Sequence, residues 1–345
     1  MSAGKQLARR SFCGGVAAVA FGHGLARAAT GNSSYRNATV RLVVGSGAGG
    51  GYDSYARLLG PHLGEVLGAT VVVDNRPGAG GLVALNQVYA AAPDGLTVMI
   101  ANAQGAALAQ LLGQDGVHFD LRRVEWLAGL GGEDPIIMWS AESPFRSLQD
   151  GIVAKDPVKW AASGRTSSQG VWIALATKAL SINSNVIVGY KGSNEAALAA
   201  MRGEVDGIIV SASSAKLYAQ DGKLLPVATL GRNRSSLFPD VPTVQELVQL
   251  PPEKTWWLDL SSRFSAIGRA VLTTPGTAPD QLTTLTDACR RILTDPVIVG
   301  ESAAAGRPIA YMPPDEVKSA AVGLLDGVDA ARMADLRKMF AEGTD

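Results

Sequence analysis

Between residues 39 and 101 the chain alternates strand, loop and helix in a way that leaves few folds open. Thr39-Val-Arg-Leu-Val-Val44 reads as a strand and runs into the glycine-rich stretch Gly45 to Gly51. A helical pattern follows through Tyr55, Leu58, Leu59, Leu63, Val66 and Leu67, spaced i, i+3, i+4. Pro61 inside it is expected to kink or split the helix, since an interior proline costs about 3 kcal/mol. Gly68 stops it. Thr70 to Val73 is a second strand, Asn75-Arg76-Pro77-Gly78 a turn, Leu82 to Ala92 a helix closed by Pro93-Asp94-Gly95, and Thr97 to Ala101 a third strand. Strands that alternate with helices imply a parallel sheet covered by helices. A second block of the same kind is expected from near Pro144. It has strand Lys159 to Ala162, polar loop Ser163 to Ser168, helix Gly170 to Leu180, strand Val186 to Val188, a helix around Ala196 to Met201, and strands Gly207 to Val210 and Leu225 to Leu230. Pro279 to Leu293 and Pro314 to Phe340 read as helical. With 345 residues, two domains are the natural division.

Composition narrows the function classes. Apolar residues make up 47% and charged residues 18%, a globular balance. The formal net charge is zero and no basic stripe interleaved with aromatics occurs, so nucleic acid is not an expected partner. The first residues read as a targeting segment: Lys5, Arg9 and Arg10, then a short apolar run from Gly14 to Phe21, then Ala26-Arg27-Ala28 as a small-x-small cleavage site. That run is too short to span a membrane, which takes about 20 residues. Ala8-Arg9-Arg10-Ser11-Phe12 resembles a twin-arginine export signal, with an ordinary secretory signal as the alternative. Cys13 precedes the apolar run, which argues against a lipoprotein. Cleavage after Ala28 leaves Cys289 alone, so no internal disulfide is expected, and Cys289 reads as a small core residue. The mature chain is slightly acidic, so any anion site depends on local donors.

Gly45-Ser46-Gly47-Ala48-Gly49-Gly50 fits G-x-G-x-x-G between a strand and a helix, and Asp74 ends the next strand. That is the dinucleotide-binding pattern, and an exported NAD(P)-dependent oxidoreductase is the alternative reading. The same turn binds any anion, because helix N-terminal amides and the helix dipole favour negative charge of whatever origin. Asp74 also runs straight into Asn75-Arg76-Pro77-Gly78 and reads more simply as part of a turn. His62 and His118 lack metal-ligand spacing. No G-x-S-x-G elbow occurs, and Ser213-x-x-Lys216 lacks its companion motifs. No catalytic residue, metal or cofactor is expected.

Longer segments carry a family likeness. Gly49-Gly50-Gly51-Tyr52-Asp53, then Val71-Val72-Val73-Asp74-Asn75-Arg76-Pro77-Gly78-Ala79-Gly80-Gly81, then Ala92-Pro93-Asp94-Gly95, resemble the tripartite tricarboxylate transporter receptors, the Bug-type or TctC-type periplasmic binding proteins. Phe119-Asp120-Leu121, Ser163-Gly164, Ser167-Ser168-Gln169, Tyr190-Lys191-Gly192-Ser193-Asn194-Glu195-Ala196, Gly203-Glu204-Val205-Asp206, Phe238-Pro239-Asp240-Val241-Pro242-Thr243-Val244 and Thr274-Pro275-Gly276-Thr277 continue the likeness in the family's order.

The resemblance implies an α/β, two-lobed type II periplasmic binding protein, a Venus flytrap with two crossover segments. Lobe 1 would hold residues 38–141 and 265–345, and lobe 2 residues 142–264, after a signal peptide of residues 1–28. It implies a non-enzymatic, monomeric solute receptor in the periplasm. Its ligand would be a small di- or tricarboxylate, aliphatic or aromatic, held in the cleft for a membrane permease or sensor. Carried over, the first-lobe loop is Ser46, Gly47, Ala48, Gly49, Gly50, Tyr52 and Asp53. The second is Ser163, Gly164, Ser167, Ser168 and Gln169, with Gln104, Ser211 and Ser213 completing the set. Each loop joins a strand end to a helix start, where free N–H groups converge. A neutral donor set holds a carboxylate without burying an unpaired arginine. For Asp53 helix capping is the simpler role, and for Tyr52 core packing rivals a place at the loop mouth. Trp256 and Trp257 could line a lobe interface or an aromatic pocket, or be core. Lys191 reads as a solvated turn residue and Asp206 as structural.

Three departures from the family pattern stand out. Gly47-Ala48 replaces Pro-Pro. No acidic residue occurs near Ser211 to Ser213, which is expected to make the cleft less suited to a cationic amino group. The stretches Pro135 to Trp139 and Thr255 to Arg269 also differ.

Overall fold

The computed structural model describes residues 35–341, and the expected export segment lies outside them. Ten strands among the described residues make two five-stranded sheets. The first sheet contains β1 (Thr39–Val44), β2 (Thr70–Asn75), β3 (Thr97–Asn102) and β4 (Glu125–Gly129). The second contains β5 (Pro135–Ser140), β6 (Val158–Ala162), β7 (Ser184–Val188), β8 (Gly207–Ser211) and β9 (Leu224–Thr229). The last strand, β10 (Arg269–Thr273), returns to the first sheet.

The strand orders are β2-β1-β3-β10-β4 and β7-β6-β8-β5-β9, which is one topology used twice. In each sheet the first three strands run parallel, and the fourth position is filled by an antiparallel strand that comes from across the molecule. β5 is the first strand after the chain leaves sheet one, and β10 the first after it leaves sheet two. The exchange makes two crossings, at residues 130–134 and 230–268. The two-lobed α/β fold therefore stands, with one correction to the expected division. Pro135–Ser140 pairs with β8 and β9 in the second sheet, whereas a lobe boundary at 141/142 assigns it to the first. A wholly apolar run announces burial but does not say in which sheet.

Thirteen helices among the described residues cover the sheets. Those that shape the site are α1 (Gly51–Leu67), α3 (Ala103–Leu112), α5 (Ser168–Leu180), α6 (Ser193–Met201) and α7 (Ala212–Tyr218). Between them lie α2 (Leu82–Tyr89) and α4 (Leu148–Ile152). The rest are α8 (Val244–Leu247), α9 (Pro252–Ala266), α10 (Pro279–Thr294), α11 (Pro296–Ala304), α12 (Pro314–Asp326) and α13 (Ala330–Ala341). Pro61 does not split α1. Pro61 and Arg57, its i−4 residue, are both solvent-exposed, so the missing hydrogen bond falls on the wet face. Tyr55, Leu59, Leu63 and Leu67 meanwhile hold the other face in the core. The run from Pro314 breaks into two helices at Gly327, where Asp329 accepts the Arg332 N–H at 2.9 Å and starts α13 anew.

Central strands β5, β8 and β10 are buried along their whole length, while β2 and β7 are half-exposed edges. Under β5 the rings of Trp139 and Trp160 lie 4.7 Å apart, with Phe145 at 5.0 Å from Trp139. Gly207 leaves room for this cluster, since a Cβ there would stand 2.5 Å from the Trp139 ring. Trp257 is buried where α9 packs on α5, Trp256 meets it edge-on, and Arg332 of α13 caps Trp256 at 4.6 Å. These two tryptophans are therefore packing residues and do not line the cleft described below.

Candidate functional site

A cavity of about 70 Å³ lies between the two sheets, where the strand-to-helix loops of both meet. Such crevices at strand carboxyl ends are where open α/β sheets bind ligands. One wall is Gly45, Ser46 and Tyr52, from the end of β1 and the start of α1. The opposite wall is Ser163, Ser167, Ser168 and Gln169, from the end of β6 and the start of α5. Gly192 and Ser193 open α6, Gln104 stands at the start of α3, and Ser211 and Ser214 at the start of α7. Five helix N-termini thus converge on one small space, each favouring negative charge.

The two walls bond directly to each other. Gly47 N–H donates to Lys191 C=O at 2.7 Å. The Tyr52 hydroxyl lies 2.8 Å from Ser168 Oγ, 2.9 Å from Gly268 C=O and 3.3 Å from Asn102 Oδ1. Ser168 Oγ donates to Asn102 Oδ1 at 2.9 Å, and Asn102 Nδ2 reaches Gly80 C=O at 3.2 Å. The backbones touch as well, since a Cβ on Gly164 would stand 2.8 Å from Gly80 N. This is a closed cleft. Tyr52 is neither plain core nor loop mouth: its phenol sits at the junction of both lobes, where burial raises its pKa.

At the crossing end of the cavity stands a charged cluster that the sequence did not announce. Arg269, the first residue of β10, places Nη1 2.7 Å from Glu133 Oε1. Its guanidinium lies 4.8 Å from the Tyr55 ring and 5.9 Å from that of Tyr52. Glu133 also accepts from Ser213 N–H at 2.7 Å and Ser213 Oγ at 2.9 Å, and Tyr55 OH lies 3.1 Å away. Behind it Arg307, also buried, donates to Ser213 Oγ at 3.1 Å and Ser214 Oγ at 3.2 Å. Burial would push the Arg269 pKa down, but the Glu133 carboxylate beside it wins and raises it. For Arg307, burial and the positive charge of Arg269 push the pKa down.

A carboxylate is therefore present in the cleft after all. It enters from the first crossing rather than from residues 211–213, and Ser213 packs directly on it.

Five buried side-chain atoms of the cavity walls have no hydrogen-bond partner: Ser46 Oγ, Gln104 Oε1 and Nε2, Gln169 Nε2 and Arg269 Nε. Leaving one such group unmet costs about 1–3 kcal/mol. All five gather around this one cavity.

Of the residues expected from sequence, Ser46, Tyr52, Gln104, Ser163, Ser167, Ser168, Gln169 and Ser211 line the cavity. Gly47, Ala48, Gly49, Gly50, Asp53, Gly164 and Ser213 do not, and shape the loops behind it. Asp53 faces away from the cavity: its carboxylate accepts Gly49 N–H at 2.8 Å and Arg57 Nε at 2.9 Å. Burial alone would raise its pKa, but these bonds outweigh that and hold it below the ordinary value. Asp74 belongs to β2 rather than to the turn after it, and its carboxylate pairs with Arg76 at 2.7 Å. Asp206 accepts Lys159 N–H at 2.7 Å, a structural role. His62 lies 3.3 Å from Glu301 and His118 is exposed. No group of His, Cys, Asp and Glu fit to hold a metal occurs among the described residues. Sequence reasoning missed Asn102, Glu133, Trp172, Ser265 and Arg269, which all line the cavity. Gly80, Gly81, Gly192 and Ser193 also line it, and their Gly-Gly and Gly-Ser runs were the available signal.

Comparison with known proteins agrees with this fold. The model of the tripartite tricarboxylate transporter family receptor matches residues 55–319. Among curated proteins, the UPF0065 protein in the gbd 5' region of Cupriavidus necator is 30% identical over 60% of this chain and 64% of its own length. The chain thus spans just under two thirds of that relative, whereas with BugT of Bordetella pertussis the match is 23% identical over 83% of this chain and 85% of BugT. Among solved structures, MatC of Rhodopseudomonas palustris with bound malate has a TM-score of 0.72 at 21% identity, covering 88% of this chain and 98% of that one. R. palustris Rpa4515 with adipate gives 0.73 at 20% identity, over 88% and 97%. At these identities the likeness establishes the two-lobed fold.

Proposed function

This chain belongs to the tripartite tricarboxylate transporter receptor family, and from that premise we propose that it captures a small carboxylate in the inter-lobe cleft and closes over it. The family is one of periplasmic substrate-binding receptors, not enzymes. Nothing supports the oxidoreductase alternative: its Asp74 stands near the end of β2, but the carboxylate is paired with Arg76 and does not line the cavity. The observation that carries the proposal is the cavity itself: five helix N-termini and unpartnered donors from both lobes face one closed space. MatC and Rpa4515 carry malate and adipate, ligands of the proposed class.

In this reading Ser46 and Gln169 supply donors to one carboxylate, while Tyr52, Ser168 and Asn102 latch the lobes together. Binding supplies contacts to the closed form that the open form lacks, and so shifts the equilibrium toward closure. The closed receptor then docks, as a monomer, on a membrane permease or a sensor. Arg9 and Arg10 direct export by the twin-arginine route. No helix among the described residues is long and apolar enough to cross a membrane.

Thermal-shift screening of the purified protein against mono-, di- and tricarboxylates, with NAD(P) included, tests the proposal. Ligand at 100 times its Kd adds about 2.7 kcal/mol and raises Tm by several degrees. A carboxylate hit with no product formed is the expected result. A shift with NAD(P) alone, or none with any carboxylate, would overturn it.

A further inference from the structure

The charged end of the cleft constrains the ligand more tightly than the loops do. Resting on the receptor reading above, we propose that Arg269 and Gln104 form a subsite for a second anionic group, so that the preferred ligand is a dicarboxylate without an amino group.

Three observations converge on this subsite. Arg269 is 7% exposed, and its Nη1 is spent on Glu133 while its Nε has no partner. The tyrosine rings beside the guanidinium hold it in place. Gln104 is fully buried, both atoms of its amide are unpartnered, and its Oε1 would lie 3.3 Å from a Cβ on Gly268, the residue before Arg269. An unpartnered guanidinium N–H and an unpartnered amide N–H, both lining the cavity, can each donate to a carboxylate.

Charge balance points the same way. Arg269 and Arg307 face the single carboxylate of Glu133, which leaves one positive charge in a buried cluster. Arg307 senses that surplus, since the positive charge of Arg269 helps push its pKa down. An arriving anion neutralises it.

Glu133 also settles what the subsite refuses. Its two oxygens already receive Arg269 Nη1, Ser213 N–H and Ser213 Oγ, with Tyr55 OH beside them. No unoccupied carboxylate lines the cavity to meet an ammonium group, and Arg269 repels one. An α-amino dicarboxylate therefore loses affinity relative to its unsubstituted parent.

The test is calorimetric titration of the full chain with succinate, glutarate and adipate. Each is paired with the monocarboxylate of equal carbon number, and succinate and glutarate also with aspartate and glutamate. The best dicarboxylate is expected to bind at least tenfold tighter than its monoacid, and succinate and glutarate at least tenfold tighter than aspartate and glutamate, because a charge-assisted pair is gained in one case and a repulsion in the other. Gln104→Leu keeps the ion pair, and is expected to weaken the dicarboxylate at least fivefold and the monoacid less than twofold. Arg269→Met combined with Glu133→Gln removes both charges together, and is expected to erase the preference for the dicarboxylate, with folding checked by circular dichroism. Equal binding of diacid and monoacid by the unmodified protein would overturn this inference and leave the receptor reading intact. Aspartate or glutamate binding as tightly as its parent would overturn the exclusion of amines. Silence with every acid would overturn both the inference and the receptor reading.

Discussion

Closure can be blocked by one methyl group that touches neither the ligand nor the core of either lobe. Gly164 lies behind the cavity wall, and a Cβ there would stand 2.8 Å from Gly80 N and 3.2 Å from Gly80 Cα. Ordinary contact begins near 3.4 Å, so the lobes must part by about half an ångström at this point. The facing turn has little give, because Ala79, Gly80 and Gly81 all hold positive φ. Gly164 itself is not among the residues with positive φ, so alanine there brings no backbone strain of its own. Overpacking of this kind costs about 1–3 kcal/mol. At 1.4 kcal/mol per factor of ten, Gly164→Ala is expected to weaken ligand binding roughly 5- to 150-fold. The free protein escapes the clash by opening, so its Tm without ligand should fall little. Titration calorimetry gives the affinity and small-angle scattering the shape, which should stay extended at ligand concentrations that compact the parent. Gly300→Ala, on α11 with open space around it, serves as the control. If Gly164→Ala bound and compacted like the parent, closure at the 80–164 contact would not be coupled to binding.

Tyr52→Phe removes a hydroxyl that meets Ser168, Gly268 and Asn102 and leaves those groups short of a partner, so a loss of about 1–3 kcal/mol is expected, read as a lower Tm and weaker binding. Gly207→Ala drives a methyl into the Trp139 ring and should cost about 1–3 kcal/mol in urea unfolding without altering ligand selectivity. The Asp53 pKa is depressed on folding, so its contribution is present above the unfolded value near 3.8 and is lost as pH falls through the lower folded value; acid unfolding of Asp53→Asn should lack that limb. Burial pushes the Cys289 thiol up to about 12, so a thiol reagent at pH 8 should label it only on unfolding.

The loops of the site were readable because they obey local rules. Gly45 to Gly50 and Ser163 to Ser167 sit where a strand hands over to a helix, and their small residues announce tight turns and free amides. Arg269, Glu133 and Arg307 were not readable, because their meaning arises only when β10 is inserted between β3 and β4 and the 130–134 crossing comes alongside. The same exchange hid β5 and β10 themselves. Each runs antiparallel to both of its neighbours, which lie far from it in sequence, so no local strand-loop-helix-strand pattern announces the pairing. The missing acid near residues 211–213 suggested a cleft less suited to a cationic amino group, and Glu133 reached the same place from another direction.

Titration calorimetry of the purified protein with the malate-to-adipate range of dicarboxylates, followed by recovery of the ligand, decides whether this is a carboxylate receptor. One equivalent bound per chain, with the ligand returned chemically unchanged, is the predicted outcome. No heat with any of these acids, or conversion of the acid to a product, would contradict it.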